Sequence, residues 1–213
     1  CAILTTAEND MGATREVPLT AKQRGKTAPA KLAHIVYKTS RYEKMIEWYQ
    51  VVLEAEIMSA SDLVTFLTYD DEHHRIAIAN MPGLAARPFQ SAGVEHCAFT
   101  YACLEDLLAT YERLKLQDIT PYWTINHGPT LSFYYRDPDN NQIELQIDIF
   151  ESNEKINAWL AQSDFTSNPI GVTFEPEALI ARYRAGETTD SLLARPVIDP
   201  AELVNHLPRP PSA

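Results

Sequence analysis

The sequence predicts an α+β fold in which a β-α-β-β-β unit occurs twice and is followed by a short helical extension. Strand-like and helix-like runs follow one another in this order in residues 31–82 and again in residues 93–150. The first strand of each unit carries a histidine, His34 in one and His96 in the other. After Asp148 the apolar pattern becomes helical. With 213 residues, the chain is long enough to bury a substantial core.

The first unit begins with the run Lys31–Thr39 (KLAHIVYKT), whose apolar residues predict a buried strand. A capping-box signature formed by Ser40 and Glu43 predicts that a helix starts there. The apolar residues of this helix recur at helical spacing, and they are Met45, Ile46, Tyr49, Val52 and Leu53. Three strand-like runs complete the unit: Glu54–Ser59, Leu63–Tyr69 and Arg75–Asn80.

The second unit repeats this order of elements. It begins with Gly93–Tyr101 (GVEHCAFTY), which predicts a strand. Its helix is marked by Leu104, Leu107, Leu108, Tyr111 and Leu114. Three further strands are predicted over Ile119–Trp123, Thr130–Arg136 and Gln142–Asp148. The segment Asp137–Asn141 between the last two predicts a turn, because its proline has a fixed φ and its asparagines tolerate a left-handed backbone.

The two ends of the chain differ from the repeated units in composition. Residues 1–30 have no apolar period and predict a flexible N-terminal arm. Residues 151–213 predict an extension that is partly helical and partly extended. Helices are expected over Asn153–Gln162 and over Pro176–Arg184, the second opening with a proline at its first position. Five prolines in Arg195–Ala213 predict an extended tail.

Charge and cysteine content limit the range of functions. The net charge of −11 argues against a nucleic-acid or anionic-membrane partner. No apolar run approaches the roughly 18 residues needed to span a bilayer, and the first thirty residues have no signal-like apolar stretch. Cys1, Cys97 and Cys103 lack metal-type spacing, which predicts free thiols in a cytoplasmic protein.

Strand alternation identifies candidate metal ligands. In the last predicted strand, Glu144 shares a polar face with Gln142, Gln146 and Asp148, which alone is also typical of a solvated strand face. His34 and His96 occupy matching places in the two units. Two histidines and one carboxylate can bind Fe(II) on one side and leave three positions open. Because the three residues are far apart in the sequence, their convergence depends on the fold.

Four segments resemble the type I extradiol dioxygenases of the vicinal-oxygen-chelate superfamily, which also includes glyoxalase I and the fosfomycin- and bleomycin-resistance proteins. They are LAHIVYKT, DDEHHRIAIANMPG, GVEHCAFTY and LSFYYRDPDNNQIELQ, and they cover roughly residues 31–150. The resemblance, closest to the short one-domain members, implies paired βαβββ modules that curl a mixed sheet around a metal site. It implies His34, His96 and Glu144 as ligands of Fe(II), with Mn(II) as a second possibility. The implied reaction is cleavage of a catechol, biaryl or bicyclic, by O₂.

The same resemblance implies three further active-site residues. His74 matches an acid/base histidine, and strand alternation predicts that only one of His73 and His74 enters the cavity; an exposed histidine pair is the simpler alternative. Tyr134 matches a substrate-contacting tyrosine, whereas its neighbour Tyr135 is expected in the core. His127 resembles a loop histidine that contacts the bound catecholate. Its spacing to Tyr134 is shorter than in the two-domain enzymes.

Other functions on the same scaffold remain open at this point. A glyoxalase-like lyase or isomerase would use Ni(II) or Zn(II) with a fourth protein ligand, but Ala79–Met81, where that ligand is expected, contains no carboxylate. A sequestering protein would not need the three ligands, and an atypical oxygenase of secondary metabolism would share them. The expected partners are an aromatic diol, O₂ and a second copy of the chain. The aromatic residues that could line a pocket or the core are Trp48, Tyr122, Trp123 and Phe133.

Overall fold

A computed structural model describes residues 19–85, 88, 91–161 and 167–208 of the chain. The first module contains β1 (Ile35–Thr39), α1 (Tyr42–Leu53), β2 (Glu56–Ala60), β3 (Val64–Thr68) and β4 (Ile76–Asn80). The second contains β5 (His96–Thr100), α2 (Leu104–Lys115), β6 (Trp123–Asn126), β7 (Thr130–Arg136) and β8 (Gln142–Asp148). The C-terminal extension adds α3 (Asn153–Leu160), β9 (Val172–Thr173), α4 (Pro176–Arg184), α5 (Thr189–Leu193) and a 3₁₀ helix (Pro200–His206).

The strands form two mixed sheets with the same internal order. One sheet runs β1-β4-β3-β2, and the other runs β5-β8-β7-β6 with β9 added at its edge. In both sheets the first strand of the module pairs in parallel with the last, whereas the remaining pairs are antiparallel. The predicted α+β fold with a repeated β-α-β-β-β unit is therefore confirmed.

One face of each sheet packs against the helices to form a shared core. Helix α1 contributes Tyr49 to this core, and helix α2 contributes Leu114. Both side chains are completely buried, as expected for apolar residues that recur on one side of a helix. Strand β8 contributes Ile143, Leu145 and Ile147 to the same core. Burying each such side chain stabilises the fold by roughly 1.5–3 kcal/mol. Residues that alternate with them on the strands face away from the helices.

The Asp137–Asn141 turn ties the two modules together. Asp137 Oδ1 accepts hydrogen bonds from the backbone N–H groups of Asp139 (2.9 Å) and Asn141 (2.8 Å). Its Oδ2 accepts one from the hydroxyl of Tyr49, on α1 of the first module, at 3.1 Å. Asn140 takes the left-handed backbone conformation that the sequence predicts for an asparagine in this turn (φ +63°). Burial raises the pKa of Asp137 above its usual value.

Several local predictions are wrong, each for an identifiable reason. Helix α1 begins at Tyr42 with Arg41 as its N-cap, because the Ser40 hydroxyl donates to the carbonyl of Leu84 and does not cap the helix. The strand predicted over Ile119–Trp123 is instead β6, which starts at Trp123. Ile119 is not available for it, because its N–H closes the end of α2 on the carbonyl of Leu114.

The ends of the chain add detail that the sequence does not predict. Pro200–His206 is a 3₁₀ helix, whereas an extended tail was expected. Strand β9 has only two residues and depends on its pairing with β6. Most of the predicted N-terminal arm, residues 1–18, lies outside the described residues. Among the helices that the structure describes, none is long and apolar enough to cross a membrane.

Candidate active site

The sheet of the second module presents a row of side chains on the face opposite the helices. The strand register places Ala98, Glu144, Tyr134 and Trp123 side by side on β5, β8, β7 and β6. Neighbouring strands are about 4.8 Å apart, so adjacent members of this row are within reach of one another. His96, two residues before Ala98, lies on the same face of β5.

A buried carboxylate and an imidazole meet at the start of this row. His96 Nε2 lies 3.1 Å from Glu144 Oε2, and Glu144 is only 4% exposed. The hydrogen bond to Glu144 raises the pKa of His96, against the effect of its partial burial. Burial would raise the pKa of Glu144, but hydrogen bonds from His96 and Ser132 hold it below its usual value. The pair is therefore charged in the metal-free protein at mildly acidic pH.

A second pair, formed by His127 and Tyr134, lies beside the first. His127 Nε2 is 3.0 Å from the Tyr134 hydroxyl, and its Nδ1 is hydrogen bonded to the backbone carbonyl of Ile170. Burial lowers the pKa of His127, which favours the neutral imidazole. Burial and the nearby Glu144 carboxylate raise the pKa of Tyr134, so its hydroxyl stays protonated. The rings of His96 and Tyr134 are in edge-to-face contact at 5.3 Å.

The predicted residues of the first module form a separate cluster. The ring of His34 lies 4.5 Å from that of His74, which also contacts Phe66 at 4.6 Å. His73 and His74 lie in the loop between β3 and β4, and their rings are 4.4 Å apart. The expectation that strand alternation separates them is therefore wrong, because neither residue is in a strand. Partial burial and the neighbouring imidazoles of His73 and His34 lower the pKa of His74.

The structure brings together two of the three predicted metal ligands. His96 and Glu144 are adjacent, whereas His34 lies against His74. Within the described part of the chain, no three histidine, cysteine or acidic side chains are close enough to hold a metal ion. The donor types of His96 and Glu144, an imidazole nitrogen and a buried carboxylate oxygen, fit a divalent cation such as Fe(II). The assignment of His34 as the third ligand stays a prediction.

The strand register also locates the first-module counterpart of Glu144. His96 pairs with Gln142, and Glu144 lies two residues further along β8. His34 comes one residue before the pair formed by Ile35 and Ile76, so the equivalent position on β4 is Ala77. The sequence alone predicts this position near Ala79–Met81, which is wrong by two residues or more. The correct position is equally without a carboxylate, so a symmetrical four-ligand site is not formed.

Several contacts at the site could not be predicted from the sequence. Trp123, which was only a candidate pocket residue, packs 4.7 Å from the Tyr134 ring and donates its indole N–H to the carbonyl of His206 at 2.9 Å. The carbonyl of Ile170, which holds His127, comes from the C-terminal extension. A backbone carbonyl carries no signal in the sequence, because every residue has one. Phe133 and Tyr135 are core residues, as their alternation with Tyr134 predicts.

Comparison with known proteins identifies relatives over most of the chain. A family described as the Glyoxalase/Bleomycin resistance protein/Dioxygenase superfamily matches residues 31–145. Biphenyl-2,3-diol 1,2-dioxygenase 2 from Rhodococcus globerulus is 41% identical over 167 residues, which are 78% of this chain and 88% of the relative. Biphenyl-2,3-diol 1,2-dioxygenase 3 from the same organism is 38% identical over 185 residues, 86% of this chain and 97% of the relative.

A glyoxylase/bleomycin resistance protein/dioxygenase domain from Frankia sp. superimposes with a TM-score of 0.49 at 17% identity, covering 57% of this chain and 99% of that chain. The match to residues 31–145 covers both repeated modules, and the two Rhodococcus relatives extend the similarity over most of the chain. The chain therefore belongs to the Glyoxalase/Bleomycin resistance protein/Dioxygenase superfamily.

Proposed function

We propose that this chain is an extradiol dioxygenase that opens the aromatic ring of a catechol with O₂, and that its preferred catechol carries a second ring. The two relatives are named as 1,2-dioxygenases of biphenyl-2,3-diol. Cleavage between carbons 1 and 2 of a 2,3-diol breaks the ring bond beside the two hydroxyls, which is the extradiol position. The observation that carries the proposal is the His96–Glu144 pair lying beside the His127–Tyr134 pair.

Family membership and the dioxygenase relatives imply a metal cofactor. We propose Fe(II), with Mn(II) as the alternative, held by His34, His96 and Glu144. Imidazole and carboxylate donors suit these ions, whereas a thiolate set would suggest zinc. His34 and His96 support the assignment because they occupy similar places in the two modules: His96 begins β5, and His34 directly precedes β1. When bound, the metal supplies a Lewis-acidic and redox-active centre at which the diol and O₂ can react.

His74 is suited to accept a proton from the catechol. Its lowered pKa keeps the imidazole neutral near pH 7, so a ring nitrogen is free to act as a base. Its ring lies against His34, which places this base beside a proposed ligand. Removing a proton from the diol increases its negative charge and therefore favours its binding at a cationic centre.

Tyr134 and His127 are suited to hold a substrate oxygen. The Tyr134 hydroxyl remains protonated because burial and Glu144 raise its pKa, so it can donate a hydrogen bond. His127 Nε2 faces the same point. These two groups lie beside the Glu144 carboxylate, on the face of the sheet away from the helices. Together they can orient a diol whose oxygens approach Glu144 and His96.

A cavity beside His96 supports a bulky substrate. It has a volume of about 680 Å³ and lies between β1 and β5. Its wall includes His96 but not Glu144, Tyr134 or His127, so it would hold the part of the substrate remote from the diol. Ligand cavities for molecules of drug size are about 300–1,000 Å³, so a two-ring diol fits. The apolar side chains of Val36, Leu84 and Val94 line it, and they suit a hydrophobic second ring.

The glyoxalase-like lyase or isomerase is the main alternative, and a four-ligand centre would favour it. Ala77 at the position equivalent to Glu144 supplies no fourth ligand. We further propose that residues 31–150 are the catalytic domain, between an N-terminal arm (1–30) and a C-terminal extension (151–213), and that the protein is a homo-oligomer.

Anaerobic loading with Fe(II), followed by O₂ uptake with biphenyl-2,3-diol and with catechol, tests the proposal. We expect one equivalent of iron per chain, consumption of O₂ and a yellow ring-opened product. A colourless muconate would indicate cleavage between the hydroxyls and would contradict the extradiol assignment. Stoichiometric zinc without O₂ consumption would favour the lyase alternative.

A further inference from the structure

A turn in the C-terminal extension, Asn168–Gly171, is built around one buried side chain. Asn168 is 7% exposed, and its Oδ1 accepts hydrogen bonds from the N–H groups of Ile170 (3.2 Å) and Gly171 (2.8 Å). Its Nδ2 donates to the carbonyl of Gly171 at 3.1 Å. Three hydrogen bonds from one side chain therefore fix the direction of the backbone in this turn.

The turn presents a backbone carbonyl to the active site. The Ile170 carbonyl is hydrogen bonded to His127 Nδ1. A carbonyl can only accept, so Nδ1 must carry a proton. A neutral imidazole carries only one ring proton, and Nε2 is then an acceptor. The Tyr134 hydroxyl, 3.0 Å from Nε2, can supply the matching donor, and the Glu144 carboxylate is the second acceptor within its reach.

Two further features fix the position of the turn relative to His127. Gly171 has a φ of +126°, and a Cβ at this position would lie 2.5 Å from the carbonyl oxygen of Asn126. The close approach of the turn to the end of β6 therefore requires glycine. Arg195 donates to the carbonyl of His127 at 3.0 Å and to the carbonyl of Asn168 at 2.7 Å. The guanidinium thus connects the backbone of His127 to the backbone of the turn.

We propose that the Asn168–Gly171 turn fixes the tautomer of His127, and that Asn168 is a positioning residue for the ring-cleavage reaction. The inference rests on the proposed function, in which His127 contacts the substrate oxygen. By directing the Ile170 carbonyl at Nδ1, the turn keeps Nε2 unprotonated and aimed at Tyr134. Without this carbonyl, the imidazole is free to carry its proton on Nε2. The Tyr134 hydroxyl would then accept from Nε2, and His127 could no longer accept a hydrogen bond from a diol hydroxyl.

The tautomer can be measured directly by ¹⁵N NMR of the histidine side chains in the full-length, metal-free protein. His127→Gln identifies the His127 signals by their loss. In the parent protein we expect a protonated Nδ1 and an unprotonated Nε2. In Asn168→Ala we expect Nε2 to gain protonation. A parent protein with its proton on Nε2 would overturn the inference, whether or not the variant folds, and so would a folded Asn168→Ala variant with an unchanged tautomer.

Kinetics of the iron-loaded protein separate positioning from general stability. Loss of a residue that orients an active-site histidine typically costs about 10- to 100-fold in activity, so we expect kcat of Asn168→Ala to fall by that factor while KM and iron content stay the same. Asn168→Asp keeps both Oδ1 hydrogen bonds and should restore the tautomer and most of kcat.

Thr188→Ala is the matched control. Thr188 caps α5 in the same extension by accepting from Ser191 N–H, so its side chain stabilises a helix end and not the Asn168–Gly171 turn. The Thr188→Ala variant should lose stability without a change in kcat or in the His127 tautomer. Equal losses of kcat in Asn168→Ala and Thr188→Ala would show a structural role only. A parent protein that cleaves no catechol would contradict the proposed function, whereas the NMR result tests the tautomer independently.

Discussion

Glu144 and Tyr134 are direct cross-strand partners on β8 and β7, and both side chains lie on the sheet face that points away from the helices. Tyr134 also contacts His127, and Glu144 also contacts His96. One strand pair therefore links the proposed metal ligands to the groups that would hold the substrate. Exchanges of the residues that bind the metal and exchanges of the residues that bind or deprotonate the substrate should therefore have different effects on iron content.

Replacing His74 with phenylalanine should reduce turnover without loss of the metal. His74 is the proposed base, and general acid–base assistance is typically worth about 10²- to 10⁴-fold in rate. We expect kcat to fall by that range while iron content and KM change little. Asp71→Asn is the matched control, because Asp71 is exposed in the same loop before β4. His73 is not suitable, since its ring contacts that of His74 and lowers the pKa of His74. Comparable losses in both variants, measured by steady-state kinetics and iron analysis, would argue against a specific role for His74.

Replacing Glu144 with glutamine should remove the metal. Glutamine preserves the shape of the side chain but supplies no negative charge to a divalent ion. We expect the iron content after reconstitution to fall well below one equivalent, with a similar loss in His96→Ala. Glu95→Gln serves as the control, because Glu95 is the carboxylate directly before His96 in the sequence and lies in the cavity wall. Full iron occupancy in Glu144→Gln would refute this ligand assignment.

The metal-free protein should be most stable in a pH range set by His96 and Glu144. The raised pKa of His96 contributes stability that is complete below its ordinary value of 6.5 and is lost as the pH rises through the folded-state pKa. The lowered pKa of Glu144 contributes stability that is complete above 4.5 and is lost as the pH falls.

Between these two pH limits, we expect the His96–Glu144 pair to add about 1 kcal/mol to the free energy of unfolding. The value is small because solvent screens the partly exposed His96. Urea denaturation of the metal-free protein at pH 5.5 and pH 8 measures it. In His96→Gln the free energy of unfolding should lose this part of its pH dependence. An unchanged pH dependence in that variant would show that the ion pair does not stabilise the fold.

Filling the cavity between β1 and β5 should change the substrate preference. Val94→Trp adds a large ring to the wall of the 680 Å³ cavity. We expect kcat/KM for biphenyl-2,3-diol to fall about 10-fold or more relative to that for catechol, a size typical of contacts in an apolar pocket. Val197→Trp is the control, because Val197 is 93% exposed and outside the cavity. An unchanged ratio in Val94→Trp would mean that the second ring binds elsewhere.

The sequence predicts the elements whose apolar period is unambiguous. Strands β7 and β8 and helix α4 have the predicted bounds, because alternation and a proline at the first helical position are local signals. The extradiol dioxygenase class, implied by resemblance, is confirmed by the two relatives. Prediction is poorer where tertiary contacts decide the local structure. Ser40 has a capping signature, yet its hydroxyl bonds to Leu84 on the linker between the modules.

The residue types of the candidate site could be predicted from the sequence, but the contacts that hold these residues in place could not. The proximity of His96 and Glu144 follows from the parallel pairing of β5 with β8, which a repeated module implies. The partners of His127 could not be predicted, because the Ile170 carbonyl and Arg195 reach it from 43 and 68 residues away. Such contacts depend on how the extension folds over β6, and no local pattern encodes that path.

In the part of the chain that the structure describes, the two sheets share no strand pairing, and each carries a different part of the proposed chemistry. The loop before β4 of the first sheet carries the base, His74, and β8 of the second sheet carries the carboxylate, Glu144. Substitutions at separated positions usually have additive effects. His74 and Glu144 can therefore be varied separately, whereas the ring of His34 lies 4.5 Å from that of His74, so exchanging this proposed ligand would also change proton handling.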